Sequence, residues 1–167
     1  EMKRVNPFDW KRGFPDAMKA GGFDCVIGNP PYIRIQTMKE WAPLEVEIYK
    51  ELFRVASTGN YDIYVVFVER GMQLLNLSGQ LGFILPSKFF ATDYGAALRG
   101  IVAQAKSLRK VVDFGHAQVF EGSTNYTCLL FLSRAPVAAG TYARVHSPSA
   151  LSTLHLQETT FESQTIS

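Results

Sequence analysis

Four consecutive residues, Asn29-Pro30-Pro31-Tyr32, have the types and order that could carry out chemistry. Two prolines hold the backbone extended, so the Asn29 side-chain oxygen and the Pro30 carbonyl oxygen point in fixed directions. Together these oxygens can accept both protons of an amino group. The Tyr32 ring beside them can stack on a planar base. The alternative interpretation is structural, namely a rigid turn at a strand end with Tyr32 packed on the surface.

The chemistry that this arrangement favours is methylation of an exocyclic amine such as that of adenine. The lone pair of such an amine is delocalised into the ring, and the nitrogen is therefore a poor nucleophile. Acceptors aimed at both N–H bonds draw the nitrogen towards a tetrahedral geometry and free the lone pair to attack a sulfonium methyl group. Preorganised dipoles suit this task because they do not reorganise during the reaction. No strong base is required, so we interpret His116 as structural and predict no metal site.

Composition sets broad limits on the class of protein. The 167 residues and 47% hydrophobic content suit one domain with one sizeable core. A formal net charge of +2 is too small to indicate nucleic-acid binding by itself. Cys25 and Cys128 lie in apolar runs, where a free thiol acts as a small hydrophobe. No signal core or bilayer-length apolar stretch is visible, so we expect a cytoplasmic protein without membrane contact.

The segments around the motif alternate between strand and helix patterns. A short apolar run at 23–28 predicts a buried strand that ends at the motif. The other predicted strands are 82–86, 108–114 and 126–133, and the predicted helices are 61–77 and 94–105. A short helix after Pro43 is predicted from Leu44, Ile48 and Leu52, which share one face. This alternation predicts an α/β fold with a mainly parallel sheet.

Residues 23–32 resemble the fourth motif of amino-methyltransferases, and other segments narrow the family. These segments are Pro7-Phe8-Asp9-Trp10, Phe14-Pro15, Tyr61-Asp62-Ile63-Tyr64, the run from Gly82 to Phe90, and Val112-Asp113-Phe114-Gly115. From residue 7 to residue 134 the chain is similar to the N6-adenine DNA methyltransferases that are fused to endonucleases in type IIG restriction-modification enzymes.

The resemblance implies a fold, a cofactor and partners. The fold is the C-terminal half of a Rossmann-like class I methyltransferase sheet, mainly parallel with a last antiparallel strand. The cofactor is S-adenosylmethionine and the substrate is double-stranded DNA. Residues 1–135 are then the catalytic part of the methyltransferase domain, and 136–167 are an exit segment towards a target-recognition domain.

In this family a glycine-rich cofactor loop precedes the motif, and no such strand-to-helix loop stands before Asn29. We therefore expect the rest of a parent polypeptide to supply the cofactor-binding half and the target-recognition domain. The sequence leaves open whether an endonuclease domain is fused as well. The isolated chain is expected to be inactive.

The resemblance also assigns roles at the motif. Asn29, Pro30 and Tyr32 are the catalytic residues, and Asn29 also lies beside the methyl group of the cofactor. Tyr32 and Phe120 are expected to stack on the two sides of a base that has left the duplex. For Phe120 the alternative is a phenylalanine that anchors a loop.

Three further residues have a functional and a structural interpretation. Asp62 is either the N-cap of the following helix or a residue beside the cofactor. Arg34 and Lys88 are either phosphate contacts in a DNA complex or solvated side chains.

Other functions remain open from the sequence. A protein glutamine methyltransferase presents the same chemistry, because a glutamine amide has the same two protons. RNA amino-methyltransferases are a further alternative. A non-catalytic binding domain, in which the motif survives only as a turn, belongs to a different class and would lack a fixed Asn29 geometry.

Overall fold

The computed structural model describes residues 5, 7–57, 59–117, 119–120, 126–145 and 158–162. The helices in these ranges are α1 (Trp10–Gly13), α2 (Pro15–Lys19), α3 (Ile35–Trp41), α4 (Pro43–Leu52), α5 (Tyr64–Leu74) and α6 (Ala96–Gln104). Short 3-10 helices cover Arg54–Ala56, Ser87–Phe90 and Asp93–Gly95. The strands are β1 (Phe23–Gly28), β2 (Leu75–Pro86), β3 (Leu108–Asp113), β4 (Thr127–Ser133), β5 (Ala139–Arg144) and β6 (Glu158–Glu162).

The described strands form one sheet in the order β1-β2-β4-β3-β5-β6. β1 is parallel to β2, and β3 is parallel to β5. β4 lies between β2 and β3 and is antiparallel to both, and β6 is antiparallel to β5. Within the described chain, four of these six strands therefore run in one direction. The predicted mainly parallel α/β sheet is confirmed, and so is the antiparallel direction of the strand predicted at 126–133.

The main core lies between one face of the sheet and helices α5 and α6. Leu81, Phe83 and Leu85 alternate along β2 towards this face and are buried. The helical residues in the same cluster include Val65, Val68, Leu98 and Val102. Helix α5 comes close to the sheet at Gly71, where a Cβ would lie 2.5 Å from Leu81 Cδ1. This packing fixes β2, and with it the point at which the neighbouring β1 ends.

In the part of the chain that the structure describes, the opposite face of the sheet is open along β1, whereas a second buried cluster that contains Val112 covers it on the side of β3. Ile27 of β1 is 84% exposed, and Cys25 on the same face is exposed. Phe131 of β4, which pairs with Gly82, is also exposed on this face. Cys128 belongs to the core cluster and is buried. The prediction of a buried β1 is therefore wrong for one face, because none of the described residues packs over Cys25 and Ile27 closely enough to bury them.

The boundary between α5 and β2 differs from the sequence prediction. The helix predicted to reach residue 77 ends at Leu74, and the chain continues directly as β2. Ser78-Gly79 lies inside this strand, where the register with β1 moves from Leu75 to Gln80 and residues 76–79 bulge out. Asn76 Oδ1 accepts hydrogen bonds from the amide and hydroxyl of Ser78 and stabilises the bulge. Sheet pairing outweighs the helical periodicity here.

Two other helices also differ in detail from their predictions. Helix α4 begins at Pro43 as expected, but Leu44 and Leu52 are exposed and Val46 is the buried residue. The helix predicted at 94–105 starts with a 3-10 helix at Asp93–Gly95 and continues as α6. Helix α3 was not predicted from the sequence.

Strands β5 and β6 lie in the segment that was predicted to leave the domain. β5 pairs with β3, and β6 pairs with β5, so the sheet continues past residue 136. Residues 146–157 and 163–167 of that predicted exit segment lie outside the described ranges. The division into a catalytic part at 1–135 and an exit segment at 136–167 stays a prediction.

Candidate active site

The Asn29-Pro30-Pro31-Tyr32 motif follows the last residue of β1, at the carboxyl edge of the parallel pair β1 and β2. Asn29 is exposed and Pro30 is buried. Among the described residues, neither the Asn29 side chain nor the Pro30 carbonyl oxygen takes part in a hydrogen bond. The two acceptors predicted from the sequence thus lie at a strand end, and the described chain does not use their lone pairs.

Tyr32 is anchored over the neighbouring strand. Its hydroxyl donates a hydrogen bond to the Ile84 carbonyl oxygen of β2 at 3.1 Å. Its ring meets the ring of Tyr64 edge to face, with centroids 6.4 Å apart and an interplanar angle of 82°. Burial, with a smaller contribution from Cys128, raises the pKa of Tyr32 to about 12. The phenol therefore stays neutral at ordinary pH and has no role as a base.

The segment after the motif is joined to the segment before α5. Arg34 and Asp62 form an isolated antiparallel bridge, with hydrogen bonds from Ile35 N to Tyr61 O at 2.9 Å and from Ile63 N to Ile33 O at 2.8 Å. Arg34 is exposed. The bridge brings two predicted site residues, Arg34 and Asp62, together near Tyr32.

The prediction that Asp62 caps a helix is wrong. The N-cap of α5 is Ile63, and no side chain accepts a capping hydrogen bond there. Asp62 instead accepts a hydrogen bond from the Tyr94 hydroxyl at 3.2 Å. A tyrosine from a distant segment thus competes successfully with the local backbone amides for the carboxylate.

Tyr64 and Tyr94 are site neighbours that sequence reasoning missed. Tyr64 is fully buried, and its hydroxyl lies 2.9 Å from that of Tyr94. Burial and the hydrogen bond between them raise the pKa of Tyr64, and burial raises that of Tyr94. The repeated tyrosine in Tyr61-Asp62-Ile63-Tyr64 was a signal for the first of them, whereas nothing in the sequence pointed to Tyr94.

The described contacts do not bring the remaining predicted site residues to the motif. Lys88 is exposed in the 3-10 helix that follows β2, and its carbonyl oxygen accepts hydrogen bonds from the amides of Ala91 and Thr92. Phe120 is 37% exposed, and residues 118 and 121–125 beside it lie outside the described ranges. The stacking role of Phe120 and the DNA contact of Lys88 stay predictions.

The residues that the structure describes contain neither a metal-binding cluster nor a membrane-spanning helix. No three His, Cys, Asp or Glu side chains come together there in a group that could hold a metal ion. No helix in those ranges combines the length and apolar character needed to cross a membrane.

The fold is that of the class I methyltransferases. A class I S-adenosylmethionine-dependent methyltransferase from Listeria monocytogenes matches 80% of this chain with a TM-score of 0.59 and 18% identity, and the match covers 41% of that protein. The type IIG restriction endonuclease BpuSI matches 86% of this chain with a TM-score of 0.62 and 14% identity, over 19% of its own length. The predicted class I, Rossmann-like fold is confirmed.

The chain belongs to the Eco57I restriction-modification methylase family, whose model matches residues 1–120. The type II restriction enzyme and methyltransferase RM.Eco57I of Escherichia coli is 41% identical over 130 residues, which is 78% of this chain. The same stretch is only 12% of the relative's length. The resemblance inferred from the motifs is confirmed, and the chain spans a small part of such a relative.

Proposed function

We propose that this chain is the catalytic part of a DNA methyltransferase that methylates adenine at N6 in double-stranded DNA with S-adenosylmethionine, within a longer restriction-modification enzyme. The observation that carries the proposal is the position of Asn29 and Pro30. Two acceptor oxygens without partners among the described residues lie at the carboxyl end of a strand, beside an anchored aromatic ring. Membership of a restriction-modification methylase family supports it.

In this proposal Asn29 and Pro30 activate the adenine amine. The Asn29 side-chain oxygen and the Pro30 carbonyl oxygen each accept one amino proton and favour a tetrahedral nitrogen. Burial of Pro30 fixes the backbone from which its carbonyl oxygen projects, and the end of β1 fixes the backbone that carries the Asn29 side chain. Because their dipoles need not reorganise, their interaction with the amine strengthens as the transition state forms.

The residues present suit S-adenosylmethionine only at the edge of its site. When bound, the cofactor supplies an electrophilic methyl group on a sulfonium. Asn29 lies where that methyl group would meet the amine, and Asp62 is a second candidate for a cofactor contact. The remaining contacts are proposed to come from the rest of the parent polypeptide, which is why the isolated chain is expected to be inactive.

DNA is proposed to reach this site by extrusion of the target base. An adenine amine is inaccessible inside a duplex, so the nucleotide must rotate out of the stack. Tyr32, with Phe120 as the second ring, would stack on the extruded base. Such stacking contributes about 1 to 3 kcal/mol per base, which offsets much of the cost of unstacking. Arg34 and Lys88, both exposed, are candidates for phosphate contacts that position the duplex.

The proposal is tested by identifying which substrate receives the methyl group. The whole enzyme is incubated with tritium-labelled cofactor in three separate reactions. One reaction contains duplex DNA, one contains structured RNA and one contains a glutamine-containing peptide. We expect transfer to DNA alone, and N6-methyladenine as the labelled nucleoside after digestion. Label in RNA or in the peptide would favour an alternative substrate class, and label in cytosine would contradict the adenine assignment.

A further inference from the structure

A chain of polar groups lies behind Tyr32. The Tyr94 hydroxyl donates to Asp62 Oδ2 at 3.2 Å, and it lies 2.9 Å from the Tyr64 hydroxyl. A phenol has one proton to donate, so Tyr94 accepts its second hydrogen bond from Tyr64. The hydrogen bonds of this polar chain are therefore donated in one direction, from Tyr64 to Tyr94 and from Tyr94 to Asp62. At its buried end the Tyr64 ring meets the ring of Tyr32 edge to face.

Both ends of this chain are held by other parts of the fold. Asp62 lies in the backbone bridge to Arg34, directly after the motif. Tyr94 lies in a 3-10 helix whose surroundings are fixed by Arg99 Nη1, which donates to the carbonyl oxygens of Phe89 at 2.6 Å and Thr92 at 2.9 Å. The polar chain thus connects the loop after β2 to the aromatic ring of the motif.

Tyr32 requires such a neighbour for a geometric reason. The Tyr32 hydroxyl donates to Ile84 O, but its oxygen lies on the axis that runs from Cβ through the ring, so this hydrogen bond restricts rotation of the ring about that axis only weakly. That torsion is broad for tyrosine in general. Stacking on a base requires a defined ring plane. Tyr64, packed edge to face on the ring, is a contact that restricts this rotation.

We propose that Tyr94 is a positioning residue that sets the plane of the Tyr32 ring through Tyr64, and thereby the stacking of the target base; this inference rests on the proposed function. Loss of the Tyr94 hydroxyl leaves the hydroxyl of Tyr64 without its partner at a fully buried position. An unpaired buried donor is costly, so the Tyr64 ring should shift to recover a partner. The Tyr32 ring then loses its fixed plane.

The test compares Tyr94→Phe with Tyr142→Phe in the whole enzyme. Tyr142 of β5 is a matched control, because its hydroxyl also donates to a carboxylate, Asp113 Oδ2 at the end of β3, at 2.7 Å. Asp62→Asn is the conservative variant, since it keeps an oxygen acceptor for Tyr94. Fluorotyrosine incorporated at position 32 reports the ring's surroundings through its ¹⁹F signal. Steady-state kinetics on duplex DNA and cofactor titration are measured for the same proteins.

We expect the ¹⁹F signal to move or broaden in Tyr94→Phe and to stay unchanged in Tyr142→Phe and Asp62→Asn. Turnover of Tyr94→Phe should fall by about tenfold to a hundredfold, the range expected for a misplaced group, with cofactor affinity unchanged. An unchanged ¹⁹F signal in Tyr94→Phe overturns the inference even if the enzyme methylates DNA. A changed signal with wild-type turnover also overturns it. If the wild-type enzyme transfers no methyl group to DNA, the proposed function fails instead, and the ¹⁹F comparison still decides whether Tyr94 positions the ring.

Discussion

The motif combines a rigid backbone with an exposed acceptor group. Pro30 is buried, and this fixes the backbone from which its carbonyl oxygen projects. Asn29 is exposed, so a substrate can reach its side chain. Tyr32 uses its hydroxyl to bind β2. A ring with an anchored, neutral hydroxyl serves as a stacking surface, which agrees with a mechanism that needs no base from this residue.

Two substitutions of Tyr32 test the contributions of its ring and its hydroxyl separately. Tyr32→Phe should keep most of the turnover, because the ring remains and only one hydrogen bond to Ile84 O, worth about 1 kcal/mol, is lost. Tyr32→Ala should weaken the extruded state of the base. The measurement is 2-aminopurine fluorescence at the target position together with turnover of the whole enzyme. Wild-type fluorescence and turnover in Tyr32→Ala would leave Tyr32 as a packing residue only.

At this scale the sequence was informative where chemistry depends on adjacent residues. Asn29, Pro30 and Tyr32 are neighbours in the chain, so their order alone indicated the site. Of the two interpretations of Asp62, the cap is wrong because the partner of its carboxylate, Tyr94, is distant in sequence and is brought near only by the fold. Local propensity carries no information on such a partner.

At the scale of elements, the loop between β2 and α6 is the best-defined support of the site. The Arg99 side chain donates hydrogen bonds to two carbonyl oxygens of this loop, those of Phe89 and Thr92. Gly95 passes so close to Phe89 that a Cβ would overlap the Phe89 carbonyl oxygen. The glycine is therefore required by space, since a larger residue would push the loop that carries Tyr94 away from the sheet.

Two alanine substitutions test this packing. Gly95→Ala should destabilise the fold by about 1 to 3 kcal/mol, because the added methyl group meets backbone that cannot move aside easily. Gly100→Ala in α6 is the matched control, since nothing lies within 4 Å of its ideal Cβ. The control should be neutral or stabilising by up to about 1 kcal/mol, as alanine favours helix. Urea denaturation measures both, and equal stability of the two variants would contradict the packing.

Elements were predictable from sequence where the local pattern and the tertiary environment agree. The bounds of β1 were found because an apolar run ends at a motif that cannot continue a strand. The end of α5 was not found, because the apolar run continues to Leu77 and Ser78-Gly79 matches a glycine stop, whereas pairing with β1 already begins at Leu75. β5 and β6 have weak periodicity, and their partners lie elsewhere in the sheet, so they were missed.

At the scale of the whole molecule, the described residues leave one face of β1 open beside the candidate site. Ile27 at 84% exposure is the clearest sign, because a large apolar side chain that is this exposed on a strand often marks a contact surface. The family relatives are much longer than this chain, which covers 12% of RM.Eco57I. The proposed cofactor-binding half in the remaining polypeptide is the expected neighbour of β1.

We predict that the isolated chain does not bind S-adenosylmethionine measurably. The proposed contacts to the adenosine and carboxylate groups of the cofactor lie outside it, and Asn29 and Asp62 alone provide too few. Calorimetric titration of the isolated chain, with its folding checked by circular dichroism, is the measurement. A saturable isotherm of micromolar affinity would contradict the division of the cofactor site between this chain and the rest of the enzyme.

The stability of the chain should fall on the alkaline side. Burial raises the pKa of Tyr32, Tyr61 and Tyr142 to about 12 each, from an ordinary value of 10.0. The fold therefore favours the neutral phenols, and this stabilisation is complete below pH 10 and is lost as the pH rises from 10 towards 12. Urea denaturation at several pH values should show this decline, with a smaller slope in Tyr142→Phe. Constant stability up to pH 12 would contradict the burial of these phenols.

The most direct test of the site is Asn29→Ala in the whole enzyme, measured as the single-turnover rate of methyl transfer to duplex DNA together with cofactor and DNA affinities. In the proposed mechanism Asn29 interacts with the amine mainly as the nitrogen becomes tetrahedral, so the loss should be in the rate and not in binding. We predict a rate reduced by about a hundredfold or more, the usual effect of losing one preorganised polar group, with both affinities nearly unchanged. A variant that keeps most of the wild-type rate would contradict the role of Asn29, and with it the proposed active site.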